Sequence, residues 1–191
     1  FEKLENISSG SNGRVYKVAK KNIYVLKEMK VEISREKFQP FLKEYELLSR
    51  FQHPNIIKAL GFYQCIFAKE EESPTILFEY YSRKIINVIE SIEDIYLITL
   101  IYEIANAMFK IHSKKLIHRN LNLDNIYVDS SNHAKITGFC DCNLMSISEQ
   151  IDISKEKPFF MSRELLMNEK YDEKVDVFSF GNIMEFILLR G

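Results

Sequence analysis

The first third of the chain carries its apolar residues at strand-like spacing. Phe1–Ile7 and Arg14–Ala19 read as two strands, joined by Ser8-Ser9-Gly10-Ser11-Asn12-Gly13. Ile23–Lys27 alternates with period two, which puts Val25 and Lys27 on one face. The spacing then turns helical. Phe41, Tyr45, Leu48 and Phe51 predict a helix over 40–51, with Pro40 suited to its first turn and Glu44 on its surface. Ile76–Tyr81 reads as another strand.

Further along, the isoleucine-rich run Ile85, Ile86, Val88, Ile89 and Ile92 predicts a short amphipathic helix. Ile95–Ser113 predicts a long one, with Ile98, Ile101, Ala105, Met108 and Ile111 as its buried stripe. Lys114 and Lys115 close that helix at the end of its dipole that favours cations. Asn125–Val128 alternates as a strand, so Tyr127 points with Asn125. Val175–Leu189 predicts a helix that is apolar on most sides and expects burial.

Composition adds bounds. The chain has 191 residues, 46% hydrophobic and 28% charged, enough for a globular domain with a core. A net charge of −1 gives no reason to expect a nucleic-acid or membrane partner. Ile95–Ile104 and Ile183–Leu189 are interrupted by Glu103 and Glu185, so neither reads as a membrane span. Cys65, Cys140 and Cys142 have no framework spacing and read as reduced thiols, which points to a cytoplasmic setting. Phe1 is not an initiator Met, no signal peptide opens the chain, and Gly191 follows a helix directly. The chain therefore reads as a slice of a longer polypeptide, with an apolar patch expected on the last helix and low stability on its own.

Six stretches carry chemistry, and they occur in a telling order. Gly10 and Gly13 sit in a Ser/Gly-rich turn where backbone N–H groups can approach phosphate, with Val15 just after. Lys27 ends a strand, and Glu44 lies on the next helix. Leu116–Asn125 reads Leu-Ile-His-Arg-Asn-Leu-Asn-Leu-Asp-Asn, and Gly138-Phe139-Cys140 follows. Val175-Asp176-Val177-Phe178-Ser179-Phe180-Gly181 comes last. Together they resemble the motifs of a eukaryotic-type protein kinase domain: the Gly-rich loop, the lysine strand, the helix glutamate, the catalytic loop, the Asp-Phe-Gly triplet and a helix signature whose Asp braces the catalytic loop. The resemblance covers the whole chain and stops before the last helices of such a domain. It implies an α+β, two-lobed fold, with an antiparallel-sheet lobe over 1–81 and a partial helical lobe over 82–191. It also implies an ATP site formed by Gly10, Gly13, Val15, Val25, Lys27, Glu44, Phe78, Glu79, Tyr81 and Tyr127. Tyr127 would either stack on adenine or fill its place.

The departures fall on the reacting groups. Asn120 stands where the family has its catalytic Asp, and an amide has no usable basicity. The loss of a general base costs about 10²–10⁴ in rate. Asn122 replaces a Lys that would neutralise the transferred phosphate. Gly138 replaces the metal-binding Asp, leaving Asn125 as the retained metal ligand. Ser8 replaces the first glycine of the phosphate loop, and Arg163 replaces the Pro of the Ala-Pro-Glu triplet, which ends in Glu164. Base, charge clamp and metal ligand are gone while the shape-giving residues stay. The chain thus resembles a pseudokinase, a scaffold or interaction module for other proteins that can still hold ATP, with or without Mg²⁺. An active, atypical Ser/Thr kinase is the alternative, with Asp124 or Asp141 recruited for metal. Ser146, Ser148 and Ser154 are candidate phosphorylation sites in the activation segment, with Arg119 as receiver.

Overall fold

The structure is a computed structural model describing residues 2–10, 13–19, 22–29, 35–63, 74–145 and 158–190. Cys65, Ser146, Ser148 and Ser154 lie outside the described residues. The chain divides into two compact units, Phe1–Gln52 with Ile57–Tyr80, and His53–Ile56 with Tyr81–Gly191.

The first unit is an antiparallel sheet and one helix. Strands β1 (Glu2–Gly10), β2 (Gly13–Ala19), β3 (Ile23–Glu28), β4 (Ala59–Tyr63) and β5 (Thr75–Glu79) lie in the order β1-β2-β3-β5-β4. Pairing between β1 and β2 continues to Gly10↔Gly13, so Ser8 and Ser9 belong to β1 and not to the connection expected from the sequence. Two register shifts along β1 absorb its uneven apolar spacing.

Cross-strand partners share a face, and the register fixes which residues those are. Val15 faces Lys27, and Val25 faces Phe78. Val15, Val25, Lys27 and Phe78 thus line one side of the sheet. On the other side, Val18, Leu26 and Leu77 form a buried cluster with Tyr16 and Tyr24 packed against it. Helix α1 (Arg35–Arg50) starts earlier than the sequence suggests. It runs through Pro40 and gives up the hydrogen bond that a proline nitrogen cannot make. Phe41, Leu48 and Phe51 are buried, and Phe41 and Tyr45 meet Phe62 of β4 at ring-centroid distances of 6.4 and 5.4 Å.

The second unit is built on two helices, α2 (Asp94–Ser113) and α4 (Lys174–Leu189), joined in sequence by short strands and turns. The isoleucine-rich run forms two 3-10 turns, Ile85–Asn87 and Ile89–Ser91, in place of one amphipathic helix. Val88, at φ −128°, interrupts the helical run between them, so Ile85, Ile89 and Ile92 are buried while Ile86 is exposed. The stripe of α2 also differs from expectation. Leu97, Leu100, Ile104, Ala107, Met108 and Ile111 are buried, whereas Ile98 is 64% exposed. The helix is apolar nearly all round, so hydrophobic period alone does not fix its phase. Val177, Phe178, Leu188 and Leu189 of α4 are exposed, whereas the apolar pattern of that helix expects burial.

Three short pairings order the connection between α2 and α4. β6 (Arg83–Lys84), β8 (Ile126–Val128) and β9 (Ala134–Ile136) form one small antiparallel sheet. β7 (Leu116–Ile117) pairs with β10 (Asn143–Leu144). Helix α3 (Arg163–Leu166) follows, and Met161, Leu165 and Val175 close a buried cluster on Ile117. Among the described residues no helix is long and apolar enough to cross a membrane.

Candidate functional site

In the first unit the site begins with a charge pair. Alternation along β3 presents Lys27 on the same face as Val25, and the third turn of α1 brings Glu44 to meet it. Lys27 Nζ and Glu44 form a salt bridge and hydrogen bond. The Glu44 side chain is only 2% exposed, and that of Lys27 19%. A carboxylate so buried is costly without a partner, so the pair requires both members. Phe78 is buried in β5, while Val15, Val25 and Glu79 are half-buried. Gly10 and Gly13 close the β1–β2 register.

In the second unit the loop after β7 is fastened by a carboxylate from another helix. Asp176, in the first turn of α4, is 1% exposed. Its Oδ2 accepts the main-chain N–H of His118 at 2.8 Å, and its Oδ1 accepts that of Arg119 at 2.9 Å. His112 Nε2 also lies 2.8 Å from Oδ2. Arg119 is held at φ 63°, a left-handed backbone that is uncommon in a non-glycine residue and that the Asp176 contacts help to hold. Its guanidinium donates to the main-chain oxygen of Asp141 and to the hydroxyl of Tyr171, 3.0 Å away. Tyr171 lies 52 residues on in sequence, and no local signal in the sequence points to it.

His118 is fully buried. Its Nε2 meets the carbonyl oxygen of Thr137 at 3.0 Å, its Nδ1 accepts the Asn120 N–H, and its ring meets Phe139 edge-on at 4.8 Å. Burial lowers its pKa below 6.5, outweighing the nearby charge of Asp176, so the ring is neutral and carries its proton on Nε2.

The loop's chemistry lies in four polar side chains that the sequence does not reveal as one group. Asn120 Nδ2 donates to Asp141 Oδ2 at 3.0 Å. Asn120 Oδ1 accepts from Asn122 Nδ2 at 2.6 Å and from Asn125 Nδ2 at 3.1 Å. Asn125 Nδ2 also reaches the main-chain oxygen of Asn120 at 2.8 Å. A 3-10 turn over Phe139–Asp141 is what curls Asp141 back onto the loop. Asp124 is drawn elsewhere: its Oδ1 pairs with Lys84 Nζ at 3.1 Å. Tyr127, paired with Lys84 across β6–β8, is half-buried between the buried Ile126 and Val128. Tyr81 is half-buried, with Lys135 Nζ 5.5 Å from its ring centre.

The family model described as "Protein kinase domain" matches residues 1–191. The chain belongs to the protein kinase family. Among curated proteins, it is similar to a probable serine/threonine-protein kinase of Dictyostelium discoideum, at 30% identity over 93% of this chain and 20% of that protein. It is also similar to dual specificity testis-specific protein kinase 2 of Mus musculus, at 30% identity over 97% of this chain and 34% of that protein. Aurora kinase of Saccharomyces cerevisiae is 28% identical over 100% of this chain and 53% of its own length. The chain thus spans between a fifth and about half of these relatives. Kinase-domain membership implies ATP and protein substrates.

Kinase chemistry also implies Mg²⁺, and here the residues do not fit it. Gly138 is at φ +86°, and a Cβ built on it would lie 2.5 Å from Asn125 Cγ and Nδ2 and 2.8 Å from Oδ1. The space of the missing carboxylate is therefore filled by the Asn125 amide. Among the described residues no three His, Cys, Asp or Glu side chains come together as metal ligands.

Proposed function

We propose that this kinase domain is a pseudokinase: it holds ATP through the sheet unit, transfers phosphate poorly or not at all, and serves as a binding module for other proteins in a reducing, cytoplasmic setting. The observation that carries the reading is the side chain of Asn125 lying in the space over Gly138. A metal-bridging carboxylate is absent, and its place is occupied. Asn120 and Asn122 support the same conclusion, since amides neither take up a proton nor neutralise a phosphate. The intact Lys27–Glu44 pair supports retained nucleotide binding through Gly10, Gly13, Val15, Val25, Lys27, Phe78, Glu79, Tyr81 and Tyr127.

The test is ATP binding to the full-length protein by titration calorimetry, with Mg²⁺ and with a chelator. The expected result is binding that changes little with Mg²⁺ and weakens in Lys27→Met. One observation favours the alternative of an active, atypical kinase: the Asp141 carboxylate, 3.0 Å from Asn120, is the one acid that touches the loop amides among the hydrogen bonds described. Strong Mg²⁺ dependence, together with phosphotransfer to protein hydroxyls that Lys27→Met abolishes, would establish that alternative and overturn the pseudokinase reading.

A further inference from the structure

Helix α2 is apolar nearly all round, and the core takes only one of its faces. Leu97, Leu100, Ile104, Ala107, Met108 and Ile111 go inside. A second stripe stays outside: Ile95 is 72% exposed, Ile98 64%, Tyr102 68% and Phe109 73%. The half-buried Ala105 lies in line between Tyr102 and Phe109. Positions 95, 98, 102, 105 and 109 step by three and four in turn, which is the a and d spacing of a heptad. That is the pattern of a helix packed along another helix. A helix apolar on all sides expects burial on all sides, and here one side has none.

The charges at the two ends of α2 say which helix belongs there. The seam itself is uncharged. Glu103, the one acid between Ile95 and Phe109, is turned to His133 and the Ala134 N–H. Glu90, Glu93 and Asp94 lie exposed where the helix starts. Arg190 pairs with Asp94, so Glu90 and Glu93 carry the charge of that end. Lys114 and Lys115 lie exposed where the helix stops. Two such helices side by side in parallel would bring acid against acid and lysine against lysine. Antiparallel, each acidic end meets a basic one and the two helix dipoles oppose.

We propose that the outer face of α2 is a self-association surface, on which a second copy of this chain packs its own α2 antiparallel. The interface is isologous: the same patch serves both copies. With the two-fold axis between Tyr102 and Ala105, Tyr102 of one copy covers the small Ala105 of the other. Ile98 then meets Phe109, and Glu93 comes opposite Lys114. The seam from Ile95 to Phe109 is about 21 Å long. The pair therefore belongs with the smaller, reversible interfaces and forms and separates with concentration. This inference stands apart from the pseudokinase reading and holds whether or not the domain binds ATP.

The test uses the full-length protein in three measurements. Sedimentation should show a mass that rises with concentration, and Tyr102→Glu, which puts a charge into the apolar seam, should weaken association by about tenfold or more. Tyr102 is exposed, so the denaturant midpoint of the dilute variant should match the wild type. Orientation is read from cysteines. Ile98→Cys and Phe109→Cys copies, mixed and mildly oxidised, should join to each other through those two positions, and neither should join to itself there. Charge is read by exchange. Glu93→Lys and Lys114→Glu should each weaken association, by about threefold for an exposed pair, and the double variant should regain it.

Mass independent of concentration, with no joining of positions 98 and 109, overturns the proposal. So does a mass that rises equally in wild type and Tyr102→Glu without that joining, since association then lies elsewhere in the protein. Position 98 joining to itself overturns the antiparallel arrangement, and a double charge variant weaker than either single one overturns the role of the ends. Ile98→Cys that joins a different protein in cell extract, and not the second copy, gives the face to that partner and overturns self-association.

Discussion

Among the described residues each unit buries one carboxylate almost completely, and the two are used in opposite ways. Glu44 is 2% exposed and answers a single cation, Lys27, on the neighbouring strand. Asp176 is 1% exposed and answers neutral main-chain donors, with His112 at its side. In the ATP-binding reading proposed above, the first arrangement positions a charge for use on a ligand. The second holds a loop in shape. The loop that Asp176 fastens, in the second unit, has no charge at positions 120 and 122, and none at position 138 beyond it. In the pseudokinase reading proposed above, the domain has carboxylates that maintain structure or set a lysine, while amides and a glycine stand at positions 120, 122 and 138.

The sharpest way to break that comparison is to remove each acid in turn. Asp176→Ala leaves the buried N–H groups of His118 and Arg119 without acceptors. At about 1–3 kcal/mol for each orphaned donor, the expected loss is about 2–6 kcal/mol in denaturant unfolding. Glu44→Gln is expected to cost less, about 1–2 kcal/mol, because the amide still accepts a hydrogen bond and Lys27 is partly solvated. Glu44→Gln should instead weaken ATP binding. If the order of the two stability losses is reversed, the division into a structural and a ligand-directed carboxylate fails.

The same division explains what the sequence made legible. Lys27 and Glu44 come together as the resemblance to a kinase lysine strand and helix glutamate implied, while strand and helix periods alone fix only the face each residue lies on. Asp176 was legible through the motif around it. The phase of α2 was not, since a helix with Leu97, Ile98, Leu100 and Ile101 offers two apolar stripes and only packing chooses between them. Pro40 within α1 was hidden for a similar reason: proline marks a first turn by preference, and tertiary packing extended the helix past it. The Asn120–Asp141 contact depends on a three-residue 3-10 turn that carries no periodic signal. Contacts such as Arg119 with Tyr171, or Asn55 Nδ2 with the carbonyl oxygen of Ala134 at 3.0 Å, join residues 52 and 79 positions apart and leave no trace in local spacing.

A smaller effect follows from restoring the lost metal ligand. Gly138→Asp puts a side chain at φ +86° and drives it into Asn125, so about 1–3 kcal/mol of destabilisation is expected from the backbone conformation alone. Restoring the acid in the loop as well, with Asn120→Asp, sets a second carboxylate beside Asp141 where the amide now sits at 3.0 Å. Two such carboxylates do not both ionise readily, and one pKa rises. The double reversion should therefore show little phosphotransfer near neutral pH, and adding Asp141→Asn should improve it. High activity in the double reversion alone would show that Asp141 does not raise the pKa of the new acid.

The mildest probe is pH, and it tests whether the loop's scaffold is as neutral as its hydrogen bonds require. His118 is buried with its pKa held below 6.5, chiefly by desolvation. In the unfolded chain the same ring takes up a proton near 6.5, so below that pH the unfolded state binds more protons than the folded one. Stability from this group is then complete above about pH 6.5 and is lost as pH falls from there towards the lowered folded value. Protonation would add a charge where Nδ1 now accepts the Asn120 N–H. Denaturant midpoints measured from pH 8 to pH 5 should fall on the acid side, and the part of that fall due to this ring should vanish in His118→Gln. A His118→Gln protein with the same acid slope as the wild type would mean that the ring titrates normally in the fold, and that the neutral scaffold inferred for the second unit is not what holds its loop.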